Sequence, residues 1–126
     1  MNQASLELTE KVIGVAMDIH TELGPGLLEH VYEIILAREL ERIGMRVQRQ
    51  LAMPVEWRGE KLEAGYRIDL LVEDVLIVEV KSVERGIQPV HVSQVVTYLK
   101  LSGLRVGLII NFNVDSLRRG LKRVMV

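Results

Sequence analysis

The sequence predicts a single α/β domain with a central mixed sheet of about four strands, an antiparallel meander plus one parallel strand, flanked by helices. Three observations predict this fold: two helix-periodic segments at the start, three alternating apolar segments in the middle, and a continuous apolar run after a third helical segment. The length of 126 residues suits one domain spanning residues 1–126.

Two helices are predicted first. Apolar residues recur at intervals of three and four from Leu6 to Leu23 and form one stripe. Gly24-Pro25-Gly26 ends this helix, and a second helix is predicted from Leu27 to Ile43 with Gly44 as its terminator. The glycine–proline turn is not a phosphate-binding loop, because it lacks a lysine and follows a helix instead of a strand.

The middle of the chain predicts three strands in an antiparallel meander. Apolar residues alternate with polar ones in three segments separated by turn residues, at positions 47–57, 66–72 and 75–81. Arg49 interrupts the alternation in the first segment, and Arg58-Gly59-Glu60 and Glu73-Asp74 are the predicted turns.

The last third predicts a helix and a buried strand. Pro89 suits the first turn of a helix that runs to Ser102, with Gly103 as its cap. The continuous apolar run from Val106 to Ile110 is typical of a buried strand. Because a helix joins it to the preceding strand, a right-handed crossover and parallel pairing are expected. Positions 116–119 predict a short helical turn, and positions 122–126 a short final segment.

Composition and charge limit the possible functions. The net charge of −1 argues against tight, autonomous binding of nucleic acid, although metal ions can supply positive charge at a site. The chain has no cysteine, which excludes disulfides and thiolate metal sites. No apolar run reaches the roughly 18 residues of a membrane span, and the first residues predict no signal peptide. A cytoplasmic protein without membrane association is expected.

Charged side chains in two apolar strands are the first candidates for chemistry. Glu79 and Lys81 lie two residues apart in a strand and therefore point to the same face. Burying both is costly unless they are paired or used, so the alternatives are an ion pair at the strand end or a functional site. Asp69 lies in the preceding strand, where its flanking residues Ile68 and Leu70 are expected on the opposite face, and it could equally belong to a solvated face.

The loop between these two strands decides whether Asp69 meets Glu79. A strict two-residue hairpin at Glu73-Asp74 would place Asp69 opposite Val78 and turn Glu79 away. A three-residue loop, or a bulge, would place Asp69 opposite Glu79, because one residue of register reverses every side chain. We predict the arrangement that unites Asp69, Glu79 and Lys81.

An aspartate followed after nine residues by Glu-x-Lys resembles the PD-(D/E)XK nuclease superfamily. The segment from Gly26 to Tyr32 matches the pattern of the GxxExxY family, a branch of that superfamily. The segment from Tyr66 to Val72 resembles the residues before its Glu-x-Lys, and Gln94 to Tyr98 resembles the Gln-x-x-x-Tyr motif of RecB-like nucleases. Residues 101–113 resemble the family's ending. The resemblance covers nearly the whole chain and implies a restriction-endonuclease-like core.

The resemblance implies a metal site. Asp69, Glu79 and the carbonyl of Val80 would bind one or two Mg²⁺ ions, with Mn²⁺ as a possible substitute, and Glu29 would be the outlying acid that completes the site. From the residues alone, Glu29 is better explained as a first-turn acid that complements the helix dipole. Tyr32 could hold Glu29 by a hydrogen bond or pack in the core.

The resemblance also implies catalytic roles outside the metal ligands. Lys81 would orient the attacking water or stabilise developing charge. Gln94 and Tyr98, with His91, form one stripe of the third helix and would contact substrate or a catalytic residue, whereas a solvated stripe is the alternative. For His91 the residues favour neither interpretation.

The predicted function is metal-dependent phosphodiester hydrolysis of DNA or RNA, bound weakly by this chain alone and with a homodimer or partner protein completing the groove. A non-catalytic nucleic-acid- or protein-binding module is the alternative, favoured by the near-neutral charge. Acid–base hydrolysis by Glu29 and Asp69 is a third interpretation. A basic tail could contact a phosphate backbone or form a solvated surface; its residues are Arg118, Arg119, Lys122 and Arg123.

Overall fold

Three α-helices and seven β-strands make up the fold in a computed structural model that describes residues 2–126. The helices are α1 (Gln3–Leu23), α2 (Glu29–Arg42) and α3 (Pro89–Ser102). The strands are β1 (Val47–Ala52), β2 (Val55–Trp57), β3 (Glu60–Leu62), β4 (Arg67–Val72), β5 (Leu76–Lys81), β6 (Val106–Asn111) and β7 (Leu121–Met125). A short 3₁₀ helix, Leu117–Gly120, precedes β7.

The main sheet confirms the predicted α/β class. Its strand order is β1-β4-β5-β6-β7, with β5 and β6 parallel and every other neighbouring pair antiparallel. Helix α3 connects the parallel pair, as expected from the crossover rule. The sheet has five strands because the predicted final segment, β7, adds to the free edge of β6.

The prediction of one strand from position 47 to 57 is wrong. Strand β1 ends at Ala52, and β2 and β3 form a separate two-stranded sheet. Pro54 has no N–H to donate to a strand ladder, so the alternating pattern continues across a break in pairing. The predicted turn at Arg58 and Gly59 is present, and both residues have positive φ, +48° and +83°.

Helices cover both faces of the main sheet and divide the core into two clusters. Helices α1 and α2 pack on one face, where the ring of Tyr32 stacks on Phe112 at a centroid distance of 4.3 Å. Helix α3 packs on the other face. Gly107 allows that close approach, because a Cβ there would lie 2.6 Å from Val95 Cγ1. No helix among residues 2–126 is long and apolar enough to cross a membrane.

The residues at the helix ends determine where α3 stops and where α2 begins, and the start of α2 sets the position of Glu29. Gly103 caps α3 in a left-handed conformation, φ +74°, and its N–H bonds to the carbonyl of Leu99. Helix α2 begins at Glu29, two residues later than predicted, because Leu28 is extended and acts as the N-cap. Glu29 is therefore the first residue of its helix.

Candidate functional site

A three-residue loop between β4 and β5 sets the register of the site. Val72 pairs with Leu76, and Glu73 and Asp74 in the loop have φ of +53° and +55°. Leu70 pairs with Val78, so the same register places Asp69 opposite Glu79. This is the loop length predicted to unite the two carboxylates.

Asp69 and Glu79 bind each other's strands through backbone amides. The N–H of Asp69 donates to Glu79 Oε1 at 3.0 Å, and the N–H of Val80 donates to Asp69 Oδ2 at 2.9 Å. These side-chain hydrogen bonds thus take the place of backbone-to-backbone hydrogen bonds at the point where the regular pairing of β4 with β5 ends. The two carboxylates are held beside each other in a partly buried position, with Glu79 only 3% exposed.

The backbone of β4 departs from simple alternation at Asp69. Ile68 and Leu71 belong to the core cluster beneath α3, whereas Leu70 belongs to the cluster beneath α1 and α2. The expectation that Ile68 and Leu70 share a face is therefore wrong. The opposing residue on β1, Gln50, has φ +52°, which interrupts the strand geometry on both sides of the pair.

Burial and the charges of neighbouring acids raise the pKa of both Asp69 and Glu79. Burial raises the pKa of Glu79, and the charge of Asp69 raises it further. Burial also raises the pKa of Asp69, and the charge of Glu33 adds to this effect, while the Val80 hydrogen bond and the Lys81 charge oppose it. Two adjacent carboxylates whose ionised forms are disfavoured in this way are typical of a functional site, where a bound cation would favour ionisation.

Lys81 ends β5 beside the two acids and is partly exposed. Its charge lowers the pKa of both Asp69 and Glu79, yet within residues 2–126 it forms no ion pair with a carboxylate closer than 4.0 Å. The alternative of a strand-end ion pair is therefore wrong for this structure. The ammonium group remains available for another anion.

Asn111 fixes the loop that follows Lys81, and sequence reasoning missed it. Its side chain is fully buried, accepts from the N–H of Val83 at 3.0 Å and donates to the Val83 carbonyl at 2.9 Å. The N–H of Phe112 donates to the carbonyl of Lys81 at 2.9 Å. An amide at the end of an otherwise apolar strand was the available signal.

We expect Asn111→Ala to lower the free energy of unfolding by about 1–3 kcal/mol, because it leaves the polar backbone groups of Val83 without partners. Chemical denaturation measures the change. Asn113→Ala is the matched control, since only the backbone N–H of Asn113 takes part in this network. Equal stability of the two variants would contradict the role given to Asn111.

Helix α3 places Tyr98 and Gln94 over the sheet. Tyr98 is 3% exposed, and its phenol oxygen accepts from Gln94 Nε2 at 3.0 Å. Burial, with the charges of Glu79 and Asp69, raises the pKa of Tyr98 to about 12. Tyr98 is thus not part of a solvated stripe, and its hydroxyl keeps its proton near neutral pH.

His91 has a capping role in the first turn of α3. Its Nδ1 accepts from the N–H of Gln88 at 2.9 Å. Burial and the Lys81 charge lower its pKa, against the opposing charge of Glu29. This capping bond is sufficient to explain why a histidine stands at the position.

The structure does not bring Glu29 into one cluster with Asp69 and Glu79. Residues 2–126 contain no group of three histidine, aspartate or glutamate side chains close enough to hold a metal ion. Glu29 is half-exposed at the start of α2, and its charge is the smallest named influence on the pKa of Asp69. Tyr32 does not hold Glu29: its hydroxyl donates to the Gly24 carbonyl at 2.5 Å and accepts from the N–H of Leu27.

A different acid of α2, Glu33, connects to the site. Glu33 is 3% exposed and accepts from Arg49 Nη2 at 3.0 Å and from Gln50 Nε2 at 2.8 Å. The same Gln50 nitrogen lies 3.3 Å from Asp69 Oδ1. Sequence reasoning missed Glu33, although its place on the buried stripe of α2, with Leu36, was a signal.

The basic tail lies on the surface. The side chains of Arg118, Arg119, Lys122 and Arg123 are exposed, and none forms an ion pair within the described part of the chain. Contact with a phosphate backbone stays a prediction.

Comparison with known proteins identifies one family. A family model described as the PD-(D/E)XK nuclease superfamily matches residues 6–124. Neither the curated proteins nor the solved structures give a match.

Proposed function

Because the chain belongs to the PD-(D/E)XK nuclease superfamily, we propose that it hydrolyses phosphodiester bonds of DNA or RNA with the help of a bound divalent cation. Nucleases of this superfamily generally depend on divalent metals. One observation carries the proposal: Asp69 and Glu79 lie opposite each other in a partly buried position next to Lys81, and each carboxylate accepts a backbone N–H from the other's strand.

The residues present fit a magnesium ion. Mg²⁺ binds through one or two carboxylates and keeps several waters, so a cluster of three acids is not required. Asp69 and Glu79 would supply the carboxylates and Val80 its carbonyl, while the Glu29 charge would act from outside the pair. Mn²⁺ prefers the same oxygen ligands. When bound, the cation would lower the pKa of a water molecule and polarise the phosphate.

The remaining residues have separable roles. Lys81, which has no ion-pair partner in the described chain, would orient the attacking water or neutralise developing charge on the phosphate. Tyr98 stays protonated and can donate its hydroxyl proton to a substrate oxygen or to Glu79, and Gln94 holds that hydroxyl in place.

We also propose a finer assignment. The Gly26-x-x-Glu29-x-x-Tyr32 pattern favours the GxxExxY branch of the superfamily. The net charge of −1 favours weak substrate binding by a single copy, with a homodimer or a partner protein completing the groove in the cytoplasm. The same charge favours the second candidate function, a non-catalytic binding module.

A cleavage assay tests the proposal. The protein is incubated with single- and double-stranded DNA and RNA in Mg²⁺, in Mn²⁺ and in chelator, beside Asp69→Ala and Lys81→Ala. We expect metal-dependent cleavage that falls by at least about 100-fold in both variants, since each removes a group required in the transition state. Lys61→Ala, an exposed lysine of β3, is the matched control and should cleave normally.

The outcomes separate the two candidate functions. Binding of nucleic acid without cleavage, unchanged in Asp69→Ala and Lys81→Ala, would establish the binding module instead. Cleavage that persists in chelator would contradict the metal-dependent mechanism.

A further inference from the structure

Gln50 joins two carboxylates that come from different parts of the fold. Its Nε2 lies 2.8 Å from Glu33 Oε1 on α2 and 3.3 Å from Asp69 Oδ1 on β4. The amide nitrogen carries two protons, so it can donate to both acids at once. The orientation of the amide is fixed, because its oxygen in this place would face two acceptors.

Glu33 anchors this contact. Its side chain is buried, and its second oxygen accepts from Arg49 Nη2 at 3.0 Å. Both Glu33 oxygens therefore have donors, and the Gln50 amide links this acid to Asp69. This acid acts on the site through Gln50.

The backbone at Gln50 has an unfavourable conformation. Its φ of +52° lies in the left-handed region, which residues other than glycine seldom adopt. Gln48 and Arg49 continue the regular pairing of β1 with β4, so the departure begins at the residue that contacts Asp69. Strain of this kind concentrates where a side chain must be aimed.

We propose that Gln50 and Glu33 are positioning residues that hold the Asp69 carboxylate in its metal-binding orientation before the cation arrives. The Val80 N–H holds Oδ2 and the Gln50 amide holds Oδ1, so rotation of the carboxylate is restrained at both oxygens. This proposal rests on the proposed nuclease function. Loss of partners that orient metal ligands typically weakens metal affinity by about 10–100-fold.

The alternative role is purely structural, with Gln50 only tying β1 to α2. Two substitutions separate the roles. Gln50→Gly removes the amide and suits a positive φ, so the fold should be kept. Gln50→Met keeps the side-chain length without a donor. Gln48→Met, on the same strand and also exposed, is the matched control.

The experiment measures Mn²⁺ binding by calorimetry, the Mg²⁺ concentration for half-maximal cleavage, and the unfolding midpoint of each variant. We expect both Gln50 variants to bind Mn²⁺ and to require Mg²⁺ about 10–100-fold more weakly. Cleavage at saturating metal should largely recover, and both Gln50 variants should stay folded, with a lower unfolding midpoint because Glu33 Oε1 loses its donor. Gln48→Met should match wild type in every measurement.

Three results would overturn the inference. Wild-type metal affinity in both Gln50 variants would show that the contact does not position Asp69. Unfolding of both variants would assign the contact a structural role. Wild-type protein that neither binds Mn²⁺ nor cleaves nucleic acid would overturn the proposed function and this inference together, whereas the first result leaves the proposed function intact.

Discussion

Glu79→Gln should stabilise the metal-free protein at pH 8 and remove most of the dependence of its stability on pH. Burial and the neighbouring Asp69 raise the pKa of Glu79 from 4.5 to about 8. The folded state therefore binds a proton that the unfolded state has lost between these pH values, and stability falls as pH rises through this window. Glutamine keeps the acceptor for the Asp69 N–H but carries no charge.

The free energy of unfolding at pH 8 is expected to rise by roughly 2–3 kcal/mol. This is less than the free energy that corresponds to the full pKa shift of Glu79, because Glu79 and Asp69 titrate together. Urea denaturation in chelator at pH 5.5 and pH 8 measures it. Glu56→Gln, an exposed acid of β2, is the control and should leave the slope unchanged. Adding Mg²⁺ at pH 8 should stabilise wild type more than Glu79→Gln. A wild-type stability that rises from pH 5.5 to pH 8 would refute the buried-acid description.

Gly120→Ala should destabilise the fold by about 3 kcal/mol or more and disturb the site from a distance. A Cβ at this position would lie 2.1 Å from the carbonyl oxygen of Asn111 and 3.1 Å from its carbonyl carbon. Both are backbone atoms at the end of β6, so a side-chain rotation cannot relieve the clash. Displacing Asn111 would also loosen the loop after Lys81 that its side chain holds.

Gly14→Ala provides the opposite control. Gly14 lies within α1 and has nothing within 4 Å of an added Cβ, so alanine should stabilise the helix by about 0.5–1 kcal/mol. Thermal unfolding compares the two variants directly. A Gly120→Ala protein as stable as wild type would mean that the end of β6 can move freely, against the packing described above.

The order of the main sheet could be predicted because its signals are local. Helix α3 is bounded by Pro89 and Gly103, and it joins two apolar strands. These signals were enough to predict that the two strands pair in parallel. Strand β7 was harder, since Lys122 and Arg123 are adjacent charges that break the alternation of a strand. The separate hairpin of β2 and β3 was missed because apolar alternation continues on both sides of Pro54.

The site could be predicted only in part. That Asp69 and Glu79 face each other was predicted by choosing a three-residue loop between their strands. The register of β4 with β5 has this loop length. The contact of Glu33 with Gln50 depends on a backbone angle at Gln50 that no residue pattern encodes. Glu29 matches a motif, but a motif gives no distance, and the structure leaves this acid outside the carboxylate pair.

The hairpin of β2 and β3 has a consequence for how this protein could diversify. The N–H of Met53 donates to the Tyr66 carbonyl at 2.8 Å, which closes the base of this insertion immediately before β4 begins in the main sheet. Residues 54–65 can therefore be lengthened, shortened or exchanged while the register that carries Asp69 stays the same. Changes in this insertion would thus leave Asp69 and Glu79 facing each other.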